Sequence, residues 1–175
     1  MQSEELQNDI CKENVFSAIY NKYSKDLHNF LYYKFGEQFY PNDKTQDAFI
    51  KLWENCKKVK FSSAKSFLFT VANNMVLNDI KHQKVVLKHQ KIKTKSYTNE
   101  TPEFLMEKEQ YLKTYQKALS KLSEDQRVAF SLSKIEGKKH QEIADMLGVS
   151  KKVVEYRIYS AFSKLKDEIK DFKIK

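Results

Sequence analysis

Apolar side chains recur every three or four residues along most of this chain, the repeat of helices with one face turned inward. Phe16, Ile19, Tyr20, Tyr23, Leu27, Phe30 and Leu31 keep that spacing. They predict one long amphipathic helix, or two in close succession, over residues 13–35. Gly36 ends it, and Tyr40-Pro41-Asn42-Asp43 reads as a turn in which Asp43 caps the next helix, residues 43–57. Phe49, Leu52, Trp53 and Cys56 share that helix's stripe. A third run, KSFLFTVANNMVLNDIKHQK, repeats the spacing with Leu68, Val71, Ala72 and Met75.

From Val85 to Thr101 the periodicity weakens into a stretch rich in Lys, Thr, Ser and Asn that ends at Pro102. Such a composition reads as a basic linker, with helix allowed only at its start. Helical spacing returns with Leu105, Leu112, Tyr115, Leu119 and Leu122. Ser123 and Gln126 then have the spacing of a capping box. Val128, Ala129, Leu132 and Ile135 give the apolar face of that helix, and Gly137 suits a left-handed end. The segment HQEIADMLGVSKKVVEYRIYSAFSKLK reads as two helices around a tight turn. Ile143, Ala144 and Leu147 line the first, Gly148 makes the turn, and Ser150 caps the second. Val153, Val154, Ile158 and Ala161 form the second helix's inner stripe, with Lys151, Lys152, Glu155, Tyr156 and Arg157 outside. That is the pattern of a helix-turn-helix, whose second helix enters the major groove of duplex DNA.

Composition agrees with an all-α chain, since only three glycines and two prolines occur among 175 residues. The expected architecture is two small helical domains, residues 10–84 and 105–175, joined by a basic linker at 85–104. The net charge of +9 points to a polyanionic partner, nucleic acid before an acidic membrane. Its distribution sharpens this. Residues 1–60 are neutral, whereas residues 61–100 hold seven lysines against Asp79 and Glu100. A neutral front suits a protein partner, and a basic middle and rear suit DNA.

Two cysteines are too few for a disulfide framework, and Cys56 on its apolar stripe is expected to act as a small hydrophobe. The polar, acidic start is unlike a signal peptide, and no apolar run approaches the roughly 20 residues that span a bilayer. A cytoplasmic protein without membrane insertion is expected. The chain holds no glycine-rich phosphate loop, no nucleophile beside a base and no paired carboxylates in an apolar setting, so catalysis and cofactors are not expected. His82 and His140 lack ligand-spaced Cys or carboxylate neighbours, which argues against a metal site.

Together, DAFIKLWEN, the following SFLFTVANNMVLNDIKHQK, and ALSKLSEDQRVAFSLSKIEGKKHQEIADMLGVSKKVVEYRIYSAFSKLK resemble bacterial RNA polymerase sigma factors of the extracytoplasmic-function group. The resemblance covers roughly residues 10–170, in the family's order, from region 2 to region 4. It implies a non-enzymatic factor that binds core RNA polymerase and promoter DNA. Asp47, Phe49, Leu52, Trp53, Glu54 and Asn55 would dock on the coiled coil of the largest polymerase subunit. The spacing of Trp53 nonetheless favours the core, which leaves Asp47, Glu54 and Asn55 as the better contacts.

The resemblance also implies that the segment from Lys65 to Lys84 meets the −10 element. Asn73, Asn74 and Asn78 are amides able to hold unstacked bases, and Lys81, His82 and Lys84 suit phosphates. Ser150, Lys151, Lys152, Glu155, Tyr156 and Arg157 would face the −35 element. The family's arginines are replaced here by Asn73 and by Lys81 with His82, its frequent aspartate by Asn78, and a small capping hydroxyl by Lys139. Many relatives are restrained by an anti-sigma factor, though no residue here identifies one. The rival readings are a free-standing helix-turn-helix regulator with a sensing or dimerising front half, and a helical adaptor that binds no DNA. Co-purification with core polymerase separates the three.

Overall fold

The computed structural model describes residues 9–87 and 114–169, with side chains to residue 82 in the first stretch. Among the described residues every regular element is helical. The chain divides into two compact units, the first built mainly on residues 1–84 and the second mainly on residues 85–144 and 150–175. The residues expected to form the linker lie largely outside the described residues. Those at 85–87 continue a helix.

In the first unit, α1 is a single helix, Glu13–Phe35, which decides between the one-helix and two-helix expectations. Gly36 ends it with φ +89°, a region costly for any residue with a Cβ, and its N–H donates to the Tyr32 carbonyl at 2.9 Å. A 3-10 turn, Glu37–Phe39, leads to α2, Pro41–Glu54. The helix therefore begins before Asp43, which is not its N-cap. Proline is tolerated at the first helical position because that N–H has no intrahelical partner anyway. Asp43 sits instead in the first turn, where its carboxylate faces the positive end of the helix dipole. Tyr40, the residue before the helix, takes a left-handed φ of 52°. After a second 3-10 turn, Phe61–Ser63, α3 runs Ala64–Leu87.

The core of this unit combines Ile19, Leu27, Phe30 and Leu31 of α1 with Ala48, Phe49 and Leu52 of α2 and Leu68, Phe69, Ala72 and Val76 of α3. Phe30 meets Phe69 with ring centroids 5.3 Å apart. The α3 stripe is thus displaced from the expected one: Val71 and Met75 are half-buried, while Phe69 and Val76 are buried. Thr45 is buried but satisfied, its hydroxyl donating to the Pro41 carbonyl at 2.7 Å.

Two corrections concern the stripe at the end of α2. Trp53 is 46% exposed, not a core residue. Cys56, expected as a free thiol, is joined to Cys11 in a disulfide that spans 45 residues of sequence. Two cysteines do not make a framework, but a single pair needs only that the fold bring both to one place. Ile10, buried beside Cys11 in sequence, anchors that segment.

In the second unit, helical residues 114–120 (α4) precede α5, Glu124–Lys134, then α6, His140–Leu147, and α7, Lys151–Glu168. The capping box forms as expected: the Gln126 N–H donates to the Ser123 hydroxyl at 3.3 Å, and the Ser123 N–H to the Gln126 amide oxygen at 3.1 Å. Gly137 and Gly148 take left-handed φ values of 68° and 65°. Lys139 offers no side-chain cap, but its backbone N–H donates to the Glu142 carboxylate at 2.8 Å, half of a capping box. Ala118, Leu122, Phe130, Ala161, Leu165 and Ile169 form a core cluster that draws α4, α5 and α7 together. Ile135 and Val153, expected on inner stripes, are instead 52% and 38% exposed. Each lies at an end of its helix, where three-to-four spacing no longer fixes what the side chain meets.

Candidate polymerase and nucleic-acid interfaces

On α2 the expected contacts separate by burial. Asp47 and Glu54 are exposed and Asn55 is half-buried, whereas Phe49 and Leu52 are 3% and 0% exposed. The latter two position the helix from inside; Leu52 offers no surface to a partner, and Phe49 offers only what lines the groove beside α1. Lys51 donates to the Glu54 carboxylate at 2.7 Å. That hydrogen bond, followed by the charge of Glu54 and then of Asp47, holds the Lys51 ammonium above its ordinary pKa. Asn55 closes the helix, its side-chain amide donating to the Lys51 carbonyl at 2.8 Å.

Beside these charges lies an apolar groove of about 450 Å³ between α1 and α2, lined by Phe16, Tyr20, Phe49, Ile50 and Trp53 with Glu13 and Gln46 at its edges. Phe16 meets Trp53 edge-on at 5.0 Å and Phe49 at 6.1 Å. Tyr20 and Ile50 are 41% and 54% exposed. Sequence spacing assigned Phe16 and Tyr20 to the inner stripe of α1. They lie at its margin, where the stripe widens into this groove.

The α3 residues also divide. Asn73 is half-buried, and its amide oxygen accepts from Lys34 of α1 at 2.8 Å, so it is committed within the unit. Asn74, Asn78, Lys81 and His82 are exposed, and Lys65 is half-buried. The side chain of Lys84 lies outside the described residues. Asn78 and His82 line an open cleft of about 500 Å³ between α2 and α3, and Asp47 lines its other wall. A Lys44–Asp79 ion pair of 2.8 Å bridges that cleft. The fold thus brings together Asp47 and two of the residues expected at the −10 element, a neighbourhood that sequence order does not suggest.

On α7, Ser150 caps the helix, its hydroxyl accepting from the Val153 N–H at 3.3 Å. Val154, Ile158, Ala161 and Leu165 face inward. At about 100° per residue, Tyr156 points diametrically away from that stripe, and it is 71% exposed. Lys151, Lys152 and Glu155 are exposed as expected. Glu155 lies 3.5 Å from Lys151 and 3.7 Å from His140 of α6.

Arg157 corrects the expectation of a freely exposed cation. Its side chain is 20% exposed and pairs with Asp125 of α5 at 2.6 Å. It flanks the inner stripe, close enough to turn back toward α5. Sequence reading also missed Tyr159, 75% exposed on the outward arc. The signal was available, because Tyr159 falls one helical turn beyond Tyr156 and off the Val154–Leu165 stripe.

Two family models match this chain in order: Sigma-70 region 2 over residues 19–85 and Sigma-70 region 4 over residues 112–165. The chain belongs to the sigma-70 family of bacterial RNA polymerase sigma factors, in its extracytoplasmic-function group. It is a transcription initiation factor that binds core RNA polymerase and directs promoter-specific initiation. Among solved structures, a chain from the co-crystal structure of the sigma factor RpoE with the anti-sigma factor NepR from Bartonella quintana is similar in fold. It matches with a TM-score of 0.60 and 21% identity, over 90% of this chain and 98% of that one. A chain of the RsbN-BldN complex aligns at 17% identity over 88% of this chain and 91% of that one, with a TM-score of only 0.32. No curated protein matches the chain significantly. No helix among the described residues is long and apolar enough to cross a membrane.

Proposed function

We propose that the three surfaces divide the work of initiation between them. The exposed face of α2, with Asp47, Glu54 and Asn55 beside Trp53, docks on core polymerase. Asn74 and Asn78, with Lys81 and His82 nearby, take the −10 element. The outward arc of α7, from Lys151 to Tyr159, takes the −35 element. Residues 10–84 and 105–175 are the functional domains, and residues 85–104 connect them.

A factor of this kind melts DNA with binding energy alone. Bases that leave the stack are captured by groups that hydrogen-bond their edges, while cations hold the phosphates. Exposed asparagines suit this, because each amide both donates and accepts. Asn73 does not belong to that set, since its amide oxygen is already engaged by Lys34. Its role is to fix α3 against α1.

The protein itself supplies no chemistry, and the polymerase that it positions is the catalyst. Its place of action is the cytoplasm. RpoE was crystallised with an anti-sigma factor, and we extend that class of partner to this chain.

The observation that carries this reading is the outward arc of α7, aromatic and basic, with Tyr156 opposite the buried stripe. The test is run-off transcription by core polymerase reconstituted with the full chain. Specific transcripts are expected from the wild type and should be lost with Lys151→Ala/Tyr156→Ala at retained core binding. Undiminished transcripts from that variant would refute the assignment of α7.

A further inference from the structure

The Cys11–Cys56 disulfide joins a residue two before Glu13 to a residue three after Trp53, both of which line the groove between α1 and α2. Cys11 lies in the turn before α1, where its N–H donates to the Asp9 carboxylate at 3.0 Å. Cys56 lies in the turn after α2, and its N–H donates to the Trp53 carbonyl at 3.1 Å. The bond therefore ties the start of α1 to the end of α2. The groove's contact between Phe16 and Trp53 lies within about two turns of that tie on each helix. Neither cysteine is buried: both are partly exposed, as an exchangeable disulfide requires. Lys57 and Lys58, both exposed, follow Cys56 directly in the chain, and lysines near a cysteine favour its thiolate. In a reducing cytoplasm, disulfides are usually transient and redox-sensing, not structural.

We propose that Cys11 and Cys56 are a reversible peroxide-responsive site: joining them holds the polymerase-facing groove in its observed shape, and parting them weakens its hold on core polymerase. The proposal rests on the assignment of α2 to polymerase docking. In the forward step one thiolate attacks a peroxide oxygen, the O–O bond breaks, and a sulfenic acid forms as hydroxide leaves and takes up a proton to become water. The second thiolate then attacks that sulfur and expels hydroxide, which takes up a proton. Two thiols and one hydrogen peroxide thus become one disulfide and two waters. The return step uses a cellular thiol, which attacks the disulfide to give a mixed disulfide. A second thiol then resolves it, leaving the protein's two thiols and the oxidised carrier.

The closed bond pre-organises the groove, so less ordering is left for the moment of binding. Reduction leaves Ile10 and the turn at residues 9–12 held by noncovalent packing alone, and the first turn of α1 gains freedom beside Trp53.

The test uses full-length protein, peroxide-oxidised or dithiothreitol-reduced, with alkylation mass shifts confirming each state. Two quantities are measured: affinity for core RNA polymerase, and the emission maximum of Trp53, the chain's single tryptophan. The reduced protein is expected to bind core about three- to tenfold more weakly, the scale of a lost ordering advantage in a single loop. Its Trp53 emission should shift to the red. Cys11→Ser protein should match the reduced wild type in both readouts and ignore peroxide. Equal core affinity of the oxidised and reduced forms overturns the proposal.

Asp47→Lys/Glu54→Lys serves as a control for the underlying assignment. If that variant binds core as the wild type does, the docking assignment fails. The Trp53 emission then decides whether the bond shapes the groove, and an unchanged maximum overturns that as well.

Discussion

Arg157 offers the clearest separation of a structural from a recognition role. Its guanidinium meets the Asp125 carboxylate at 2.6 Å, with the two side chains 20% and 58% exposed. Screening by solvent limits such a partly exposed pair to about 0.5–1 kcal/mol. Asp125 lies in the first turn of α5, where the helix dipole adds roughly 0.3–1 kcal/mol. Asp125→Ala should therefore cost about 1–2 kcal/mol, and Arg157→Ala about 0.5–1 kcal/mol. For a unit of this size, 1 kcal/mol moves Tm by roughly 4–8 °C, so calorimetry resolves both variants. The double variant should show a coupling energy near the pair's own worth.

Promoter binding by holoenzyme then reports the other half. With Arg157 held by Asp125, Arg157→Ala should weaken all promoters slightly and leave the salt slope nearly unchanged. Asp125→Ala frees the guanidinium for phosphate and should steepen the slope of log affinity against log salt by about 0.9. The reasoning fails if Arg157→Ala leaves Tm unchanged and costs about 1–3 kcal/mol at a single promoter position, the signature of a base contact.

Asn74→Ala and Asn78→Ala should impair open-complex formation more than closed-complex binding, measured by permanganate footprinting against gel shift. Asn73→Ala should instead lower the thermal stability of the first unit by roughly 0.5–2 kcal/mol, since its loss strips Lys34 of a hydrogen-bond partner. Reduction of the Cys11–Cys56 bond opens a loop spanning 45 residues, for which chain entropy alone gives a loss of about 4 kcal/mol. Denaturant titration with and without reductant checks this, and a midpoint that does not move would contradict it. Ser131 is 1% exposed, and its hydroxyl finds no hydrogen-bond partner among the described residues. Ser131→Ala should therefore be neutral or raise stability by up to about 1 kcal/mol, read from the same titration.

What was legible in the sequence was whatever local spacing controls. The run from Phe16 to Leu31 announced α1, Ser123 with Gln126 announced the capping box, and Gly148 with Ser150 announced the turn into α7. Periodicity fails at the margins of a stripe, where a side chain turns inward or outward according to what another helix brings. Trp53 keeps helical register with Phe49 and Leu52, yet it emerges on the surface beside Phe16. Pro41 moved the start of α2 ahead of Asp43 because proline sacrifices nothing at a first helical position.

The candidate site was legible as a set of surfaces but not as a set of free side chains. Arg157 and Asp125 are 32 residues apart, Lys34 and Asn73 are 39 apart, and no local pattern pairs either. The disulfide had the same origin, since proximity across α1 and α2 is a product of tertiary packing alone.

Gln126 carries a consequence for how the second unit comes into being. Its side-chain oxygen completes the cap of α5 by accepting from the Ser123 N–H at 3.1 Å, and it also accepts from Lys164 at 3.1 Å. Its amide nitrogen donates to the Ser160 hydroxyl of α7 at 2.8 Å. One side chain thus starts one helix and aligns another. If the first turn of α5 frays, α7 loses a tether in the same event. Initiation of α5 and alignment of α7 are thereby coupled, and a half-formed unit with a loosely held α7 is disfavoured. If α7 reads the −35 element as proposed, that coupling suppresses a loosely aimed population that would bind the vast excess of non-promoter DNA by charge alone.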